Sequence, residues 1–159
     1  NGGKLMICGN GGSSADAQHL AAEMLIRIRQ NKNRNGIPVM ALSQDSATIT
    51  ACSNDYAFDQ IYSRAVSTIG REGDVLLVLS TSGKSKNIIK TLEQANLINI
   101  KTIGFFGNKV EEASDLCKEN FIVPSSLASN IQEAHITAGH ILMESVEDNL
   151  IESNFISLI

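Results

Sequence analysis

Histidine and acidic side chains on two predicted helices could bind a metal ion or transfer a proton. His19 and Glu23 stand four residues apart, so on a helix they share one face and can point at the same ion or substrate. A second polar set lies near the C-terminus: Gln132, Glu133, His135 and His140. Imidazole and carboxylate suit a zinc-like divalent ion, whereas glutamine is a rarer ligand. The spacing leaves open a second interpretation, in which His19 and Glu23 only form a hydrogen bond on the helix surface.

Two turns rich in glycine and hydroxyl side chains could bind a phosphate group. The first spans residues 9–14 (GNGGSS) and the second spans residues 80–85 (STSGKS), and each follows an apolar run. A helix N-terminus offers free N–H groups and a positive dipole end, which favour anions. The alternative is that both turns are ordinary helix N-caps. The GxGxxG dinucleotide pattern and the Walker phosphate pattern are absent from the sequence.

Short apolar runs that alternate with helical patterns predict an α/β fold. Strands are expected at residues 4–8, 39–42, 74–79, 101–106 and 121–123. Helices are expected at residues 14–29, 46 to about 54, 59–69, 85–95, 111–117 and 131 to about 153. Because the strands are almost entirely apolar, we expect a doubly wound parallel sheet that is flanked by helices on both faces. Ligands bind beyond the carboxyl ends of such strands, where both turns fall.

The composition is that of a single globular domain and excludes several function classes. The chain has 159 residues, and its net charge of −4 comes without a basic run, so nucleic acid is not an expected partner. No apolar stretch is long enough to cross a bilayer. The cysteines are odd in number and lack paired spacing, which indicates a reducing cytoplasm. Cys8 and Cys52 have apolar neighbours and are expected to be small core residues.

Four segments of the chain together resemble a known family. They are GNGGSSADAQHLAAEM (9–24), SNDYAF (53–58), STSGKS (80–85) and IQEAH…H (131–140). In this order and spacing they resemble the sugar isomerase (SIS) domain family, and within it most closely the phosphoheptose isomerases. The resemblance covers nearly the whole chain. It implies one SIS domain over residues 1–159, with a flavodoxin-like three-layer sandwich. The helical segment that precedes the first strand in the family is expected to be missing from this sequence.

The resemblance also implies an activity and a set of site residues. Such enzymes are cytoplasmic homotetramers that convert sedoheptulose 7-phosphate to a heptose 7-phosphate through an enediol, for lipopolysaccharide or capsule heptose synthesis. The substrate positions match Asn10, Gly11, Gly12, Asn54, Asp55, Ser80, Thr81, Ser82, Ser85 and Gln132. The zinc positions match His19, Glu23, Gln132 and His140. Glu23 and His140 match the proton-transfer pair, as base and acid. Whether Glu23 is a metal ligand, the base or both is left open.

One loop departs from the family pattern and leaves alternatives open. Residues 126–130 read Ser-Leu-Ala-Ser-Asn, where the family often has Asp-Asp-Thr-Ala-Arg. The loop is expected to adjoin the site, so an isomerase of another sugar phosphate is one alternative. A second alternative is a non-catalytic SIS domain that acts as a sugar-phosphate sensor or adaptor. The presence of both Glu23 and His140 favours an enzyme.

Overall fold

Five strands alternate with six α-helices in the computed structural model, which describes residues 2–43, 45–110 and 112–159. The strands are β1 (Leu5–Gly9), β2 (Val39–Ala41), β3 (Val75–Ser80), β4 (Lys101–Gly107) and β5 (Glu119–Val123). The helices are α1 (Gly12–Leu25), α2 (Ser46–Asp55), α3 (Ile61–Ile69), α4 (Lys86–Leu97), α5 (Glu112–Asp115) and α6 (Ala128–Glu152). A short 3₁₀-helix, Phe58–Gln60, precedes α3. None of the described helices is both long and apolar enough to cross a membrane.

The five strands form one parallel sheet in the order β2-β1-β3-β4-β5. This is a doubly wound order, and the chain reverses its winding between β1 and β3. Gly9 at the end of β1 pairs with Leu79 near the end of β3, so the two Gly/Ser-rich turns leave the sheet side by side. The predicted fold is therefore confirmed, and the predicted ligand-binding turns lie at the switch point.

Two hydrophobic cores cover the two faces of the sheet. Successive residues of a strand point to opposite faces, so β1 and β3 supply both cores. One core joins strand residues to α3 and α4: Met6, Cys8, Leu76, Val78, Val66, Ile88 and Leu92. The other joins strand residues to α1 and α6: Ile7, Leu77, Leu79, Leu20, Met24 and Met143. Cys8 and Cys52 are buried as predicted, and burial raises the pKa of the Cys8 thiol.

Helix α1 ends at Leu25 and not at the predicted residue 29. The reason is tertiary, since the carbonyl of Met24 accepts hydrogen bonds from the Ile37 amide at 3.0 Å and from Nη1 of Arg34 at 2.9 Å. These bonds replace the next helical turn. Helix α6 begins at Ala128, one turn before the predicted residue 131. The predicted helix 111–117 starts at a residue outside the described ranges, and α5 covers its centre.

A buried ionic cluster joins the loop after α1 to α6. Arg34 and Glu147 have fully buried side chains, and Nε of Arg34 donates to Oε1 of Glu147 at 2.5 Å. Arg29 donates from Nε to the second carboxylate oxygen of Glu147 at 2.7 Å, and both Arg29 and Lys32 bind Asp148. The cluster fixes the C-terminal end of α1 against α6.

Candidate functional site

The first turn, residues 9–12, joins β1 to α1 and presents its backbone to the site. Gly11 has a φ of 57°, which residues with a side chain rarely adopt, and its carbonyl accepts the Ser14 amide at 3.0 Å. A Cβ on Gly12 would lie 2.6 Å from Nε2 of Gln132. Glycine at this position therefore lets the Gln132 amide from α6 lie against the turn.

The second turn, residues 80–85, joins β3 to α4 and borders a cavity of about 220 Å³. The cavity is lined by Thr81, Ser82, Lys84, Asn108, Lys109, Ser126, Ala128 and Ile131. The described lining residues include two lysines, Lys84 and Lys109. Ser126 and Ala128 line the same cavity as Thr81 and Ser82, so the 126–130 loop lies beside the second turn.

The hydroxyl groups of the second turn differ in how they are used. Ser80 is buried, and its Oγ accepts the Gly83 amide at 3.1 Å, which shapes the turn. Oγ of Ser82 accepts the Lys84 amide at 3.2 Å. Ser85 occupies the N-cap position of α4 without a side-chain cap hydrogen bond. Its hydroxyl is therefore not used to cap its own helix, and the first N–H groups of α4 have no partner within the helix.

His19, Glu23 and His140 converge in the structure although they come from opposite ends of the chain. Nε2 of His19 lies 2.9 Å from Nε2 of His140 and 3.7 Å from Oε1 of Glu23. One potential ligand atom from each residue lies within 4.8 Å of the others. The side chains of His19 and Glu23 are 50% and 25% exposed, so a ligand can reach the cluster. His140 is thus a third member of the group that His19 and Glu23 begin, and spacing within one helix could not reveal it.

The donor set of this cluster fits a divalent zinc-like ion. Ligands about 2.0–2.1 Å from a tetrahedral zinc ion stand roughly 3.3–3.4 Å apart, and the observed separations of 2.9 and 3.7 Å bracket that value. The facing imidazole nitrogens either share one N–H or direct two lone pairs at a common cation. Gln132 lies against Gly12, and its part in the metal site stays a prediction.

Close packing of α1 on α6 holds the cluster together. Leu20 follows His19 and Gly139 precedes His140, and these two neighbours meet directly behind the histidines. A Cβ on Gly139 would lie 2.7 Å from Cδ1 of Leu20, and both residues are buried. Gly12 lies beside Gln132, and Leu20 lies beside Gly139. The two helices therefore run side by side in the same direction.

Other predicted site residues lie apart from this cluster. Asn54 and Asp55 are exposed at the end of α2, and Nδ2 of Asn54 donates to Oδ1 of Asp55 at 2.9 Å. Glu133 is exposed. His135, which the sequence groups with His140, is fully buried beside the rings of Phe105 and Phe121. It is not part of the cluster, because five residues along a helix turn it well away from His140.

Two residues near the site are missed by the sequence patterns. Asn87 in the first turn of α4 exchanges two hydrogen bonds with Asn10, at 2.9 and 2.8 Å. Asp16 precedes His19 by three residues on α1, and its Oδ2 is buried without a hydrogen-bond partner. Burial raises the pKa of the Asp16 carboxyl, and the nearby His19 offsets part of that rise. The i, i+3 spacing of Asp16 and His19 could have indicated Asp16, but no local signal in the sequence indicates Asn87.

Comparison with known proteins identifies the class to which this fold and site belong. The SIS domain family matches residues 1–107, and the chain belongs to that family. Similar proteins are phosphoheptose isomerases. That of Rhodospirillum rubrum is 51% identical over an alignment of 152 residues, which covers 94% of this chain and 78% of the relative.

Solved structures agree with this assignment. The phosphoheptose isomerase from Francisella tularensis superimposes with a TM-score of 0.85 at 38% identity, covering 91% of this chain and 76% of the other. The enzyme of the same name from Neisseria gonorrhoeae gives a TM-score of 0.83 at 36% identity, covering 92% and 77%. The resemblance drawn from the sequence motifs is therefore confirmed at the level of family and fold.

Proposed function

We propose that this chain is a phosphoheptose isomerase, an aldose–ketose isomerase that converts sedoheptulose 7-phosphate to a heptose 7-phosphate. The observation that carries the proposal is the cluster of His19, Glu23 and His140, in a chain that is 44–51% identical to phosphoheptose isomerases. The reaction moves one proton between C1 and C2 through an enediol. It therefore needs a base for the carbon-bound proton and an acid for the oxygens.

Glu23 is the proposed base and His140 the proposed acid. Starting from the ketose, the Glu23 carboxylate removes a proton from C1 and returns it to C2. His140 donates a proton to the oxygen on C2 and regains one from the oxygen on C1, so the protons balance over the reaction. Nε2 of His19 lies 2.9 Å from His140 and 3.7 Å from Glu23, and this closeness of both groups to one side chain supports their action on a shared enediol.

His19, Glu23, Gln132 and His140 would hold a zinc ion. When bound, such an ion supplies Lewis-acid polarisation of the carbonyl oxygen. The protein itself supplies the arrangement of the ligands, since the Leu20–Gly139 contact sets the distance between α1 and α6. The fit of the donor set to a tetrahedral ion supports this part of the proposal.

The turn at residues 80–85 is the proposed phosphate anchor. Further proposed substrate contacts come from Gly11, Gly12, Asn54 and Asp55. The cavity of about 220 Å³, the N-terminus of α4 and the Ser85 hydroxyl support this role. Lys84 and Lys109 add positive charge to the cavity wall. A remote anchor orients the reacting carbons, an effect worth up to about 7–11 kcal/mol in favourable intramolecular reactions.

A cytoplasmic homotetramer that serves heptose synthesis for lipopolysaccharide or capsule completes the proposal. Large apolar side chains near the site are exposed in the single chain, among them Leu127, just before α6, and Ile141, on α6. Assembly would cover such surface. A second candidate is isomerisation of another sugar phosphate, which the neutral Ser126 and Ala128 in the cavity wall favour.

The test is conversion of sedoheptulose 7-phosphate by the full-length protein, followed by NMR, with and without a chelator and added zinc. Glu23→Gln should lower kcat by about 10²–10⁴-fold, the usual contribution of a positioned proton-transfer group, while sugar phosphate still binds. Glu133→Gln is the matched control, because Glu133 is an exposed acid on α6, and it should keep wild-type turnover. A Glu23→Gln variant with full activity would remove Glu23 from the base role.

A panel of hexose and heptose phosphates separates the candidate substrates. Preference for a six-carbon substrate would replace the heptose assignment and leave the isomerase assignment in place. A wild-type protein that binds sugar phosphate, with zinc present, but converts none of the panel would instead support the sensor or adaptor alternative.

A further inference from the structure

The side chains of Asn10 and Asn87 form a closed pair of hydrogen bonds between the two turns. Nδ2 of Asn10 donates to Oδ1 of Asn87 at 2.9 Å, and Nδ2 of Asn87 donates to Oδ1 of Asn10 at 2.8 Å. Each amide donates one hydrogen bond and accepts one, so the pair is closed. The residues are 77 positions apart in the chain, and the contact therefore reports on the folded arrangement of the site.

Asn87 is well placed to act as the fixed end of this pair. Asn87 is only 2% exposed. It lies in the first turn of α4, directly after the 80–85 turn. Its carbonyl accepts the Thr91 hydroxyl at 2.5 Å, and Ile88 beside it is fully buried in the core. Asn10, in contrast, lies in the glycine-rich turn that has little side-chain packing of its own.

The pair suggests a structural role for Asn10 beside the substrate contact that the sequence predicts. One hydrogen of its amide and its amide oxygen are used within the protein, so its main part is in shaping the turn. The backbone of Gly11 and Gly12 then remains to face the sugar. The strands beneath are already neighbours, since Gly9 pairs with Leu79, but a strand pairing does not fix the loops that leave it.

We propose that the Asn10–Asn87 pair is a positioning bridge that fixes the separation between the sugar-binding turn and the phosphate-binding turn. This inference rests on the proposed function. The phosphate is anchored at residues 80–85, while the carbonyl end must meet Glu23 and His140. The bridge ties the backbone that guides the sugar to the element that holds the phosphate. Asn10 and Asn87 are thus positioning residues that act through each other and not through separate contacts to the substrate.

The experiment is a double-mutant cycle with Asn10→Ala, Asn87→Ala and the double variant. Steady-state conversion of sedoheptulose 7-phosphate gives kcat and KM, and inhibition by inorganic phosphate gives the affinity of the anchor alone. Misplacement of reacting groups by about 1 Å costs on the order of 100-fold, so each single variant should lose about 10- to 100-fold in kcat. A bridge predicts that the double variant loses no more than either single variant. Phosphate affinity should stay within about twofold, because a bridge leaves the anchor itself intact.

Asn96→Ala is the matched control, because Asn96 lies on the same helix and its amide donates to the Leu116 carbonyl at 2.9 Å, away from the turns. It should leave kcat unchanged. Losses at positions 10 and 87 that multiply in the double variant would mean independent substrate contacts and would overturn the bridge. Weaker phosphate binding with unchanged kcat would make Asn87 a phosphate ligand and would also overturn it.

Three further outcomes are equally decisive. If Asn87→Ala does not fold, Asn10→Ala alone decides, since full kcat in that variant refutes the inference. A wild-type protein without isomerase activity refutes the proposed function and, with it, this inference. A wild-type protein that is active alongside variants that are equally active refutes the bridge alone.

Discussion

Replacing Gly139 with alanine should disturb the proposed acid and base more than it disturbs the fold. The added Cβ would lie 2.7 Å from Cδ1 and 3.0 Å from Cδ2 of Leu20. Ordinary van der Waals contact begins near 3.4 Å, so α1 and α6 must separate by several tenths of an ångström or Leu20 must move. Leu20 is fully buried and has little room to do so. The separation falls directly behind His19 and His140.

Two opposing effects decide the stability of Gly139→Ala. Alanine in a helix interior is favoured over glycine by about 1 kcal/mol, whereas overpacking a core costs about 1–3 kcal/mol. The net change in the free energy of unfolding should therefore be a loss of about 0–2 kcal/mol, small enough for the protein to fold. The site is more sensitive, because displacements near 1 Å cost on the order of 100-fold in rate. We expect kcat to fall at least about tenfold and zinc to bind more weakly.

The assay combines urea denaturation, steady-state kinetics and zinc titration. Leu20→Ala alone is the control for the lost side chain, since it leaves a cavity at a cost of about 2–5 kcal/mol. The double variant Leu20→Ala/Gly139→Ala removes the close contact and should regain part of the kcat lost by Gly139→Ala. A Gly139→Ala protein with a higher midpoint of unfolding and unchanged kcat would show that the Leu20 contact does not set the helix spacing.

Two further changes test buried groups away from the site. Glu147→Gln removes the carboxylate that Arg34 and Arg29 share, and loss of one partner of a buried pair should lower the free energy of unfolding by about 3–5 kcal/mol. His135→Leu should flatten the pH dependence of stability. Burial lowers the pKa of His135 in the folded protein, although the Phe106 backbone opposes part of the shift. Just below the ordinary histidine pKa of about 6.5, His135 therefore binds a proton more readily in the unfolded chain than in the folded one. Wild-type stability should fall as the pH drops below that value, by up to about 1.4 kcal/mol per pH unit from this group.

Each of these two changes has its own comparison. Glu144→Gln alters an exposed acid on the same helix and should shift stability by less than about 0.5 kcal/mol. An equal loss in both variants would show that the buried pair has no special role. For His135, urea denaturation from pH 7.5 to 5 gives the free energy of unfolding against pH for the wild type and for His135→Leu. Parallel slopes in the two proteins would mean that His135 binds a proton equally well in the folded and unfolded states.

The fold could be predicted because its signals are local. The apolar run of β3 and the hydroxyl-rich turn after it lie within one short segment, and so do the glycine turn and helix that follow β1. The order of these elements restricts the topology to a few arrangements. The juxtaposition of the two turns then follows from the pairing of neighbouring strands.

The remaining features depend on contacts between distant segments. The end of α1 is set by Arg34 and Ile37, which bind its carbonyls from a later loop. The Asn10–Asn87 pair joins two helix starts that no sequence period relates. His135 shows the limit most directly, since its position beside His140 in the sequence suggests a ligand and the helix turns it into an aromatic pocket. Spacing along a helix gives the direction of a side chain but not its surroundings.

The capping of α1 by Arg34 has a consequence for the order of folding. The last turn of this 14-residue helix contains no basic residue, so no side chain within that turn opposes the negative end of its dipole. The opposing cation arrives only when the loop returns and Glu147 receives the guanidinium. A helix of this length is marginal by itself in water. The segment that carries His19 and Glu23 should therefore become helical only as the C-terminal helix docks, so that the proposed metal-binding groups are assembled in one of the last steps and not on a preformed element.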